Sequence, residues 1–109
     1  MTLSTHVLDA TSGRPAAGVG VRLERRAADG TWLETESAST GEDGRLRLSG
    51  EIAVGVYRIT FASGDYFGAR GVTTFYPEVS VTFAVAAEAE HHHVPLLLSP
   101  FAYSTYRGS

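Results

Sequence analysis

Short runs of alternating apolar and polar residues fill this chain almost from end to end, and they constrain its fold more than any other feature. A two-residue period places successive side chains on opposite faces of a β-strand, and the Gly, Asp and Pro residues between the runs are typical of turns. The pattern predicts eight strands: 3–9, 19–24, 31–39, 45–48, 57–61, 79–85, 91–98 and 101–106. Short strands at regular spacing favour an all-β fold, an eight-stranded β-sandwich of two sheets.

Two local signals add detail to this sandwich. Asp29-Gly30 is a strong hairpin signal, so residues 31–39 should return antiparallel to the strand before them. Ser63 is a candidate N-cap for one short helix that ends near Gly71. A chain of 109 residues predicts a single domain, 1–109, that buries only about 65% of its unfolded surface when it folds alone.

Composition and charge narrow the class of protein. There is no cysteine, so neither a disulfide nor a thiol nucleophile is available. The nine basic residues are all arginine and are scattered through a chain of net charge −3, which argues against a nucleic-acid partner. The N-terminus lacks the basic and apolar regions of a signal peptide, and no apolar run reaches membrane length. We therefore expect a soluble, cytoplasmic protein with no membrane contact.

Two histidines and an arginine are the first candidates for a site. His6 falls on the face of the first strand opposite Thr5 and Val7, while Arg45 starts the fourth strand beside a loop. His93 lies at the mouth of an apolar core strand that begins at Val94. An imidazole can take a proton from water near neutral pH, and a guanidinium can bind a carbonyl oxygen or an oxyanion. This set suits direct hydrolysis.

Two other chemistries compete with direct hydrolysis. His91 and His93 share a strand face about 7 Å apart, as a zinc pair would, and His6 is the candidate third ligand. Glu88 and Glu90 alternate onto the opposite face, so the ligand set stays open and we expect no metal. A serine nucleophile, Ser104 or Ser109, is improbable because no G-x-S-x-G elbow is present. For His91 and His92 taken alone, we favour ordinary solvated surface residues.

Six segments carry a resemblance to a known family: THVLD at 5–9, GRPAAGV at 13–19, DGR at 43–45, YPEV at 76–79, HHHVPLLLSP at 91–100 and YRGS at 106–109. Together they span the chain and resemble the transthyretin-like family. The closing YRGS and the set of His6, Arg45 and His93 resemble its hydrolase branch, since transthyretin proper lacks both. One departure is His92, which stands where the family often has tyrosine.

The resemblance implies both an activity and an assembly. The fold would be a transthyretin-like sandwich, assembled as a homotetramer, a dimer of dimers, with active sites in a channel at the dimer–dimer interface. The substrate would be a small purine-derived molecule, 5-hydroxyisourate, hydrolysed in urate breakdown to 2-oxo-4-hydroxy-4-carboxy-5-ureidoimidazoline without a cofactor.

The resemblance also implies roles for particular residues. His6 and His93 would position and deprotonate water, in an undecided order, and Arg45 would stabilise the oxyanion. Tyr106 would close the channel floor, and three further residues would bind within the site: Ser104, Arg107 and Ser109. The competing interpretations are a transthyretin-type module that binds an aromatic ligand without turnover, and an extracellular structural sandwich.

Overall fold

The computed structural model describes residues 2–48, 50–86 and 91–109. Within these ranges the chain forms nine strands and one helix. In chain order they are β1 (Leu3–Asp9), β2 (Arg14–Pro15), β3 (Gly20–Arg26), β4 (Trp32–Ser39), β5 (Arg45–Leu48), β6 (Gly55–Phe61), α1 (Ser63–Gly68), β7 (Val79–Val85), β8 (His92–Ser99) and β9 (Ala102–Thr105). All eight predicted strands are present, and the two-residue β2 is an addition that lies where the sequence predicts only a break.

The strands form two sheets packed face to face, which confirms the predicted sandwich. In the first sheet the order is β2-β1-β8-β9, with β5 also paired to β1, and in the second it is β4-β3-β6-β7. β1 runs parallel to β8, while the other pairs are antiparallel. The apolar core between the sheets includes Leu3, Val7, Leu23, Ile59, Phe61, Phe67, Leu96 and Leu98. Burial of this apolar surface is the main force that holds the two sheets together.

Strand β1 shows the predicted alternation without exception. Leu3, Thr5 and Val7 are buried in the core, whereas Ser4 and His6 are only partly buried on the other face. Because the side-chain period is two, this single strand decides which residues of the first sheet face outward. We call that side of the first sheet the outer face.

Gly44 fixes where β5 begins against β1. Its carbonyl accepts a hydrogen bond from the Val7 amide at 2.8 Å, and its φ is +74°. A Cβ at this position would lie 2.4 Å from the Val7 carbonyl oxygen, so only glycine allows the close approach. The next residue, Arg45, is thereby brought alongside His6.

The helix starts where the sequence suggests but for another reason. Ala62 is the N-cap residue and makes no side-chain cap, so the prediction that Ser63 caps the helix is wrong. The Ser63 hydroxyl instead donates a hydrogen bond to the Tyr76 carbonyl at 2.9 Å, and Ser63 is fully buried. It ties the segment before β7 to the helix. No helix among the described residues is long and apolar enough to cross a membrane.

Candidate active site

The outer face of the first sheet brings His6, Arg45 and His93 together. In the β1–β5 pairing His6 lies directly across from Arg45, and in the β1–β8 pairing Ser4 lies across from His93. Neighbouring strands are about 4.8 Å apart and alternate residues share a face. Three groups that are distant in sequence thus lie on adjacent strands within one small area.

His6 is held by the turn that precedes β5. Its Nε2 donates to the Asp43 carbonyl oxygen at 3.0 Å, because a carbonyl can only accept. In the neutral imidazole Nδ1 is therefore the unprotonated nitrogen. The Asp43 carboxylate accepts the Arg45 amide at 3.0 Å, so the same turn orients both candidate catalytic residues.

His93 is held from two sides. Its Nδ1 lies 2.8 Å from the Ser4 hydroxyl oxygen, and its carbonyl accepts the Gly108 amide at 2.9 Å. Gly108 packs so closely that a Cβ there would lie 2.4 Å from Cδ2 of the His93 ring. With Nδ1 occupied by Ser4, the other ring nitrogen, Nε2, is available to the site.

The surroundings of His93 disfavour its charged form. Desolvation lowers the pKa of the His93 ring below its ordinary value, and nearby His91, His6 and Arg45 lower it further, against a smaller opposing effect of Ser4. His6 and Arg45 act on this ring because the strand pairing brings all three groups onto one face. His93 is thus kept neutral and able to accept a proton.

We expect the His93 ring to titrate below about 6.5, the ordinary imidazole pKa. Arg45→Gln removes a nearby positive charge and should move the His93 midpoint toward higher pH. The measurement is an NMR titration of the His93 Cε1–H. Arg26→Gln is the control, since Arg26 lies over Trp32 in the second sheet and should not affect it. A wild-type midpoint at or above 6.5 would contradict this electrostatic picture.

The C-terminal residues lie along β8 beyond β9. Leu96 pairs with Thr105 and His93 with Gly108, so the shared register puts Tyr106 across from Pro95. Pro95 has no N–H to donate, which accounts for the gap in the ladder there. Tyr106 is 59% exposed and belongs to the same row of the outer face as His6.

The other predicted binding residues are distributed differently. Ser104 is across from Leu97 and is exposed on the outer face. Arg107 falls across from Val94 by the same register, on the side of the sheet that faces the core, although the residue itself is exposed. Ser109 is exposed at the end of the chain. The structure therefore brings Ser104 and Tyr106 to the face of the two histidines, and sets Arg107 toward the opposite side.

A cavity of about 200 Å³ lies between β7 and the start of β8. It is lined by Val81, Phe83, Ala84, His92, His93, Val94, Thr105, Tyr106 and Arg107. His92 is 6% exposed and lies across from Leu3 on the core side, so the prediction that it is solvated is wrong. Its Nδ1 is buried with no hydrogen-bond partner among the described residues.

Removing that buried polar atom should stabilise the protein. His92→Phe takes away an unpaired nitrogen whose burial costs on the order of 1 kcal/mol, and the adjoining cavity leaves room for the larger ring. We expect a higher midpoint in urea denaturation with an unchanged slope. Val94→Phe, which adds bulk beside the same cavity without removing a polar atom, is the comparison and should not stabilise. A lower midpoint for His92→Phe would contradict the argument.

His91 is exposed, as expected, yet it is not isolated. Its ring stacks on that of His93 with centroids 6.5 Å apart, close to the predicted spacing. Within the described part of the chain no group of three or more His, Cys, Asp or Glu side chains is arranged to hold a metal ion. Glu88 and Glu90 lie outside the described residues.

Sequence reasoning missed two residues of the site. Ser4 lies two residues before His6 and hence on the same strand face, a signal that is present in the alternation. Gly108 contacts His93 only because the end of the chain folds back along β8, which no local pattern indicates.

Fold and site together define a class, the transthyretin-like β-sandwich hydrolases. The model of the HIUase/Transthyretin family matches residues 3–108. A relative from Caulobacter vibrioides, a 5-hydroxyisourate hydrolase, is 53% identical over 98% of this chain and 97% of its own. The chain belongs to the HIUase/Transthyretin family, and it is an enzyme of the hydrolase kind.

Solved structures show how far the fold alone discriminates. The 5-hydroxyisourate hydrolase of Klebsiella pneumoniae superimposes with a TM-score of 0.89 at 33% identity, covering 100% of both chains. Sea bream transthyretin in complex with thyroxine gives 0.94 at 34% identity, covering 97% of this chain and 93% of its own. The hydrolase and the thyroxine complex share this fold, so the fold alone does not decide between the two activities.

Proposed function

We propose that this protein hydrolyses 5-hydroxyisourate in the breakdown of urate. Water would open the six-membered lactam ring and give 2-oxo-4-hydroxy-4-carboxy-5-ureidoimidazoline. The observation that carries the proposal is the meeting of His6, Arg45 and His93 on the outer face. The proposal is supported by the Caulobacter vibrioides relative, which is named 5-hydroxyisourate hydrolase and is 53% identical over nearly the whole length.

The chemistry follows from the state of each group. His93 is kept neutral by its surroundings, and its Nε2 accepts a proton from the attacking water as general base. His6, fixed by Asp43, offers an unprotonated Nδ1 that positions the same water. Arg45 binds the carbonyl oxygen through the fixed donors of its guanidinium and stabilises the negative charge that develops on that oxygen.

This chemistry is more efficient when a second subunit packs on the outer face and shields it from solvent. Leu97 is 37% exposed and Tyr106 is 59% exposed beside the polar groups, an apolar and polar mixture typical of an interface. In the described sheet β9 is an edge strand with every residue exposed, a ready surface for pairing. We therefore propose a homotetramer, a dimer of dimers, in which the dimer–dimer interface encloses the site.

Further assignments belong to the same proposal. Tyr106 forms the floor of the enclosed site, and Ser104 contributes a hydroxyl from the same face. Ser109 acts at the mouth, where the tail ends, whereas Arg107, on the opposite side of the sheet, is left out of the substrate-binding set. The reaction needs no cofactor beyond water and these side chains, and a chain without cysteine suits the reducing cytoplasm.

A carrier of the transthyretin kind is the second candidate, favoured by the superposition on transthyretin. It predicts tight binding of a two-ring aromatic ligand without turnover. Tyr106 argues against a deep channel, since it stands on the outer face across from Pro95.

The test generates 5-hydroxyisourate from urate in the cuvette and follows its decay by ultraviolet absorbance. The compound decays spontaneously, so the predicted result is acceleration above the rate in buffer. The product is identified by NMR. Decay at the buffer rate with folded protein present would remove the hydrolase proposal and leave the carrier.

A further inference from the structure

A continuous chain of hydrogen-bonding groups leads away from His93. The Ser4 hydroxyl oxygen lies 2.8 Å from His93 Nδ1 and 2.9 Å from His91 Nε2, and so bridges the two imidazoles. His91 Nδ1 in turn contacts the Thr2 hydroxyl. Ser4 and His93 are partly buried, while His91 is exposed. The chain thus runs from the proposed base to a solvent-exposed ring.

The protons along this chain can be arranged in two ways. In one, His93 Nδ1–H donates to Ser4, the Ser4 hydroxyl donates to His91 Nε2, and His91 Nδ1–H donates to Thr2. His93 Nε2 is then an unprotonated base. In the other arrangement every bond reverses and His93 Nε2 carries a proton. Every group is satisfied in both, since a hydroxyl and a neutral imidazole each donate and accept.

We propose that Ser4 and His91 form a proton relay for His93. When water attacks, its proton moves to His93 Nε2, the Nδ1 proton of His93 moves to Ser4, and the Ser4 hydroxyl proton moves to His91 Nε2. The hydroxide oxygen bonds to the substrate carbonyl carbon, and His91 holds the positive charge. The steps run in reverse as the ring C–N bond breaks, so that His93 Nε2 returns the proton to the leaving nitrogen.

The charges around His93 give this relay its purpose. His6 on the neighbouring β1, and Arg45 and Arg47 on β5 one strand further away, share the outer face with His93, and His91 lies beside it. A positive charge on His93 is opposed by desolvation and by His91, His6 and Arg45. His91 is exposed to water, which solvates a charge better than the partly buried site does. Passing the proton on to His91 therefore spares the transition state the cost of a positive charge on the partly buried His93 ring.

This inference rests on the proposed function, and its test measures a proton count. We expect Ser4→Ala to lower kcat about tenfold, less than the roughly 10²–10⁴-fold that the general base itself contributes, with KM little changed. In mixtures of H₂O and D₂O, wild-type kcat should depend on deuterium fraction along a curve, since several protons move together. Ser4→Ala should give a straight line, and so should His91→Gln. Ser4→Thr, which keeps the hydroxyl, should restore both rate and curvature.

The controls separate a relay from a packing role and from failure of the function itself. Ser37→Ala, a serine of the second sheet, should match wild type in rate and curvature. If Ser4→Ala is slow but stays curved, or if Ser4→Thr rescues neither property, Ser4 only supports the structure and the relay is wrong. Wild-type kcat in Ser4→Ala would also overturn the relay while leaving the hydrolase intact. A wild type that does not accelerate substrate decay overturns both.

Discussion

Replacing His93 with alanine should abolish most of the acceleration of 5-hydroxyisourate decay while leaving the fold intact. In the proposed mechanism this ring is the general base, a role that contributes about 10²–10⁴-fold in rate. It is only partly buried at the start of β8, on the outer face rather than in the core. We expect kcat to fall by about that factor, with circular dichroism and gel-filtration behaviour unchanged.

The matched comparison is His93→Asn. Asparagine can still engage Ser4 and the tail but cannot accept a proton at neutral pH, so its kcat should be as low as that of the alanine variant. Near wild-type activity in either variant would show that the base lies elsewhere. Loss of activity accompanied by dissociation or unfolding would instead assign His93 a structural role.

Gly108→Ala should inactivate the enzyme almost as strongly, although glycine carries no chemistry. The new methyl group would lie 2.4 Å from His93 Cδ2, 3.1 Å from Cγ of that ring and 3.1 Å from Pro95 Cγ. The clash can be relieved in two ways. The ring turns away from Ser4, or the tail leaves β8 and the hydrogen bond from the Gly108 amide to the His93 carbonyl is lost. Displacement of a catalytic group by about 1 Å can cost about 10²-fold in rate, and we expect a loss of at least that order.

Gly68→Ala is the control for this substitution. Gly68 lies in α1, where an added Cβ would meet no described atom within 4 Å outside its own helix, and its backbone is not left-handed. Alanine should therefore be tolerated there, and activity should stay at the wild-type level. Wild-type kcat in Gly108→Ala would mean that the end of the chain does not hold His93 in the working enzyme.

The parts of the fold set by local alternation could be predicted from sequence. Leu3 to Asp9 is a strand with the predicted faces, and the Asp29-Gly30 hairpin forms with Thr31 bonded to the Asp29 carboxylate at 2.6 and 3.0 Å. These features depend on neighbouring residues alone. The same period predicted that His6 and Arg45 each lie on the side of their own strand that faces away from the core.

Features that depend on pairing between distant strands were not predictable. Alternation puts Glu34 and Glu36 on one outward face, yet the register of β3 and β4 shifts between Leu23 and Glu24. Glu36 then lies across from Leu23 and is exposed less than its neighbours, while Glu34 lies across from Glu24. A β-bulge inserts one residue and reverses the faces beyond it, and no local signal marks it here.

The histidine run shows the same limit. Composition suggests that His92 is a surface residue, but strand parity places it opposite His93 and therefore in the interior. Parity could have indicated this, whereas its unpaired Nδ1 and the cavity beside it depend on β7 and the tail. Likewise Ser4 was visible on the correct face, but its contacts to His91 and His93 required the parallel register of β1 and β8.

The most direct test of the account is a crystal structure of the assembled protein with a non-hydrolysable purine analogue bound. We predict a planar ligand on the outer face, with a carbonyl oxygen within hydrogen-bond distance of Arg45 and a water between His6 and His93. A second protomer should cover it, with Tyr106 as the floor. A ligand in the cavity between β7 and β8, or outer faces that remain open to solvent in separate subunits, would contradict the account.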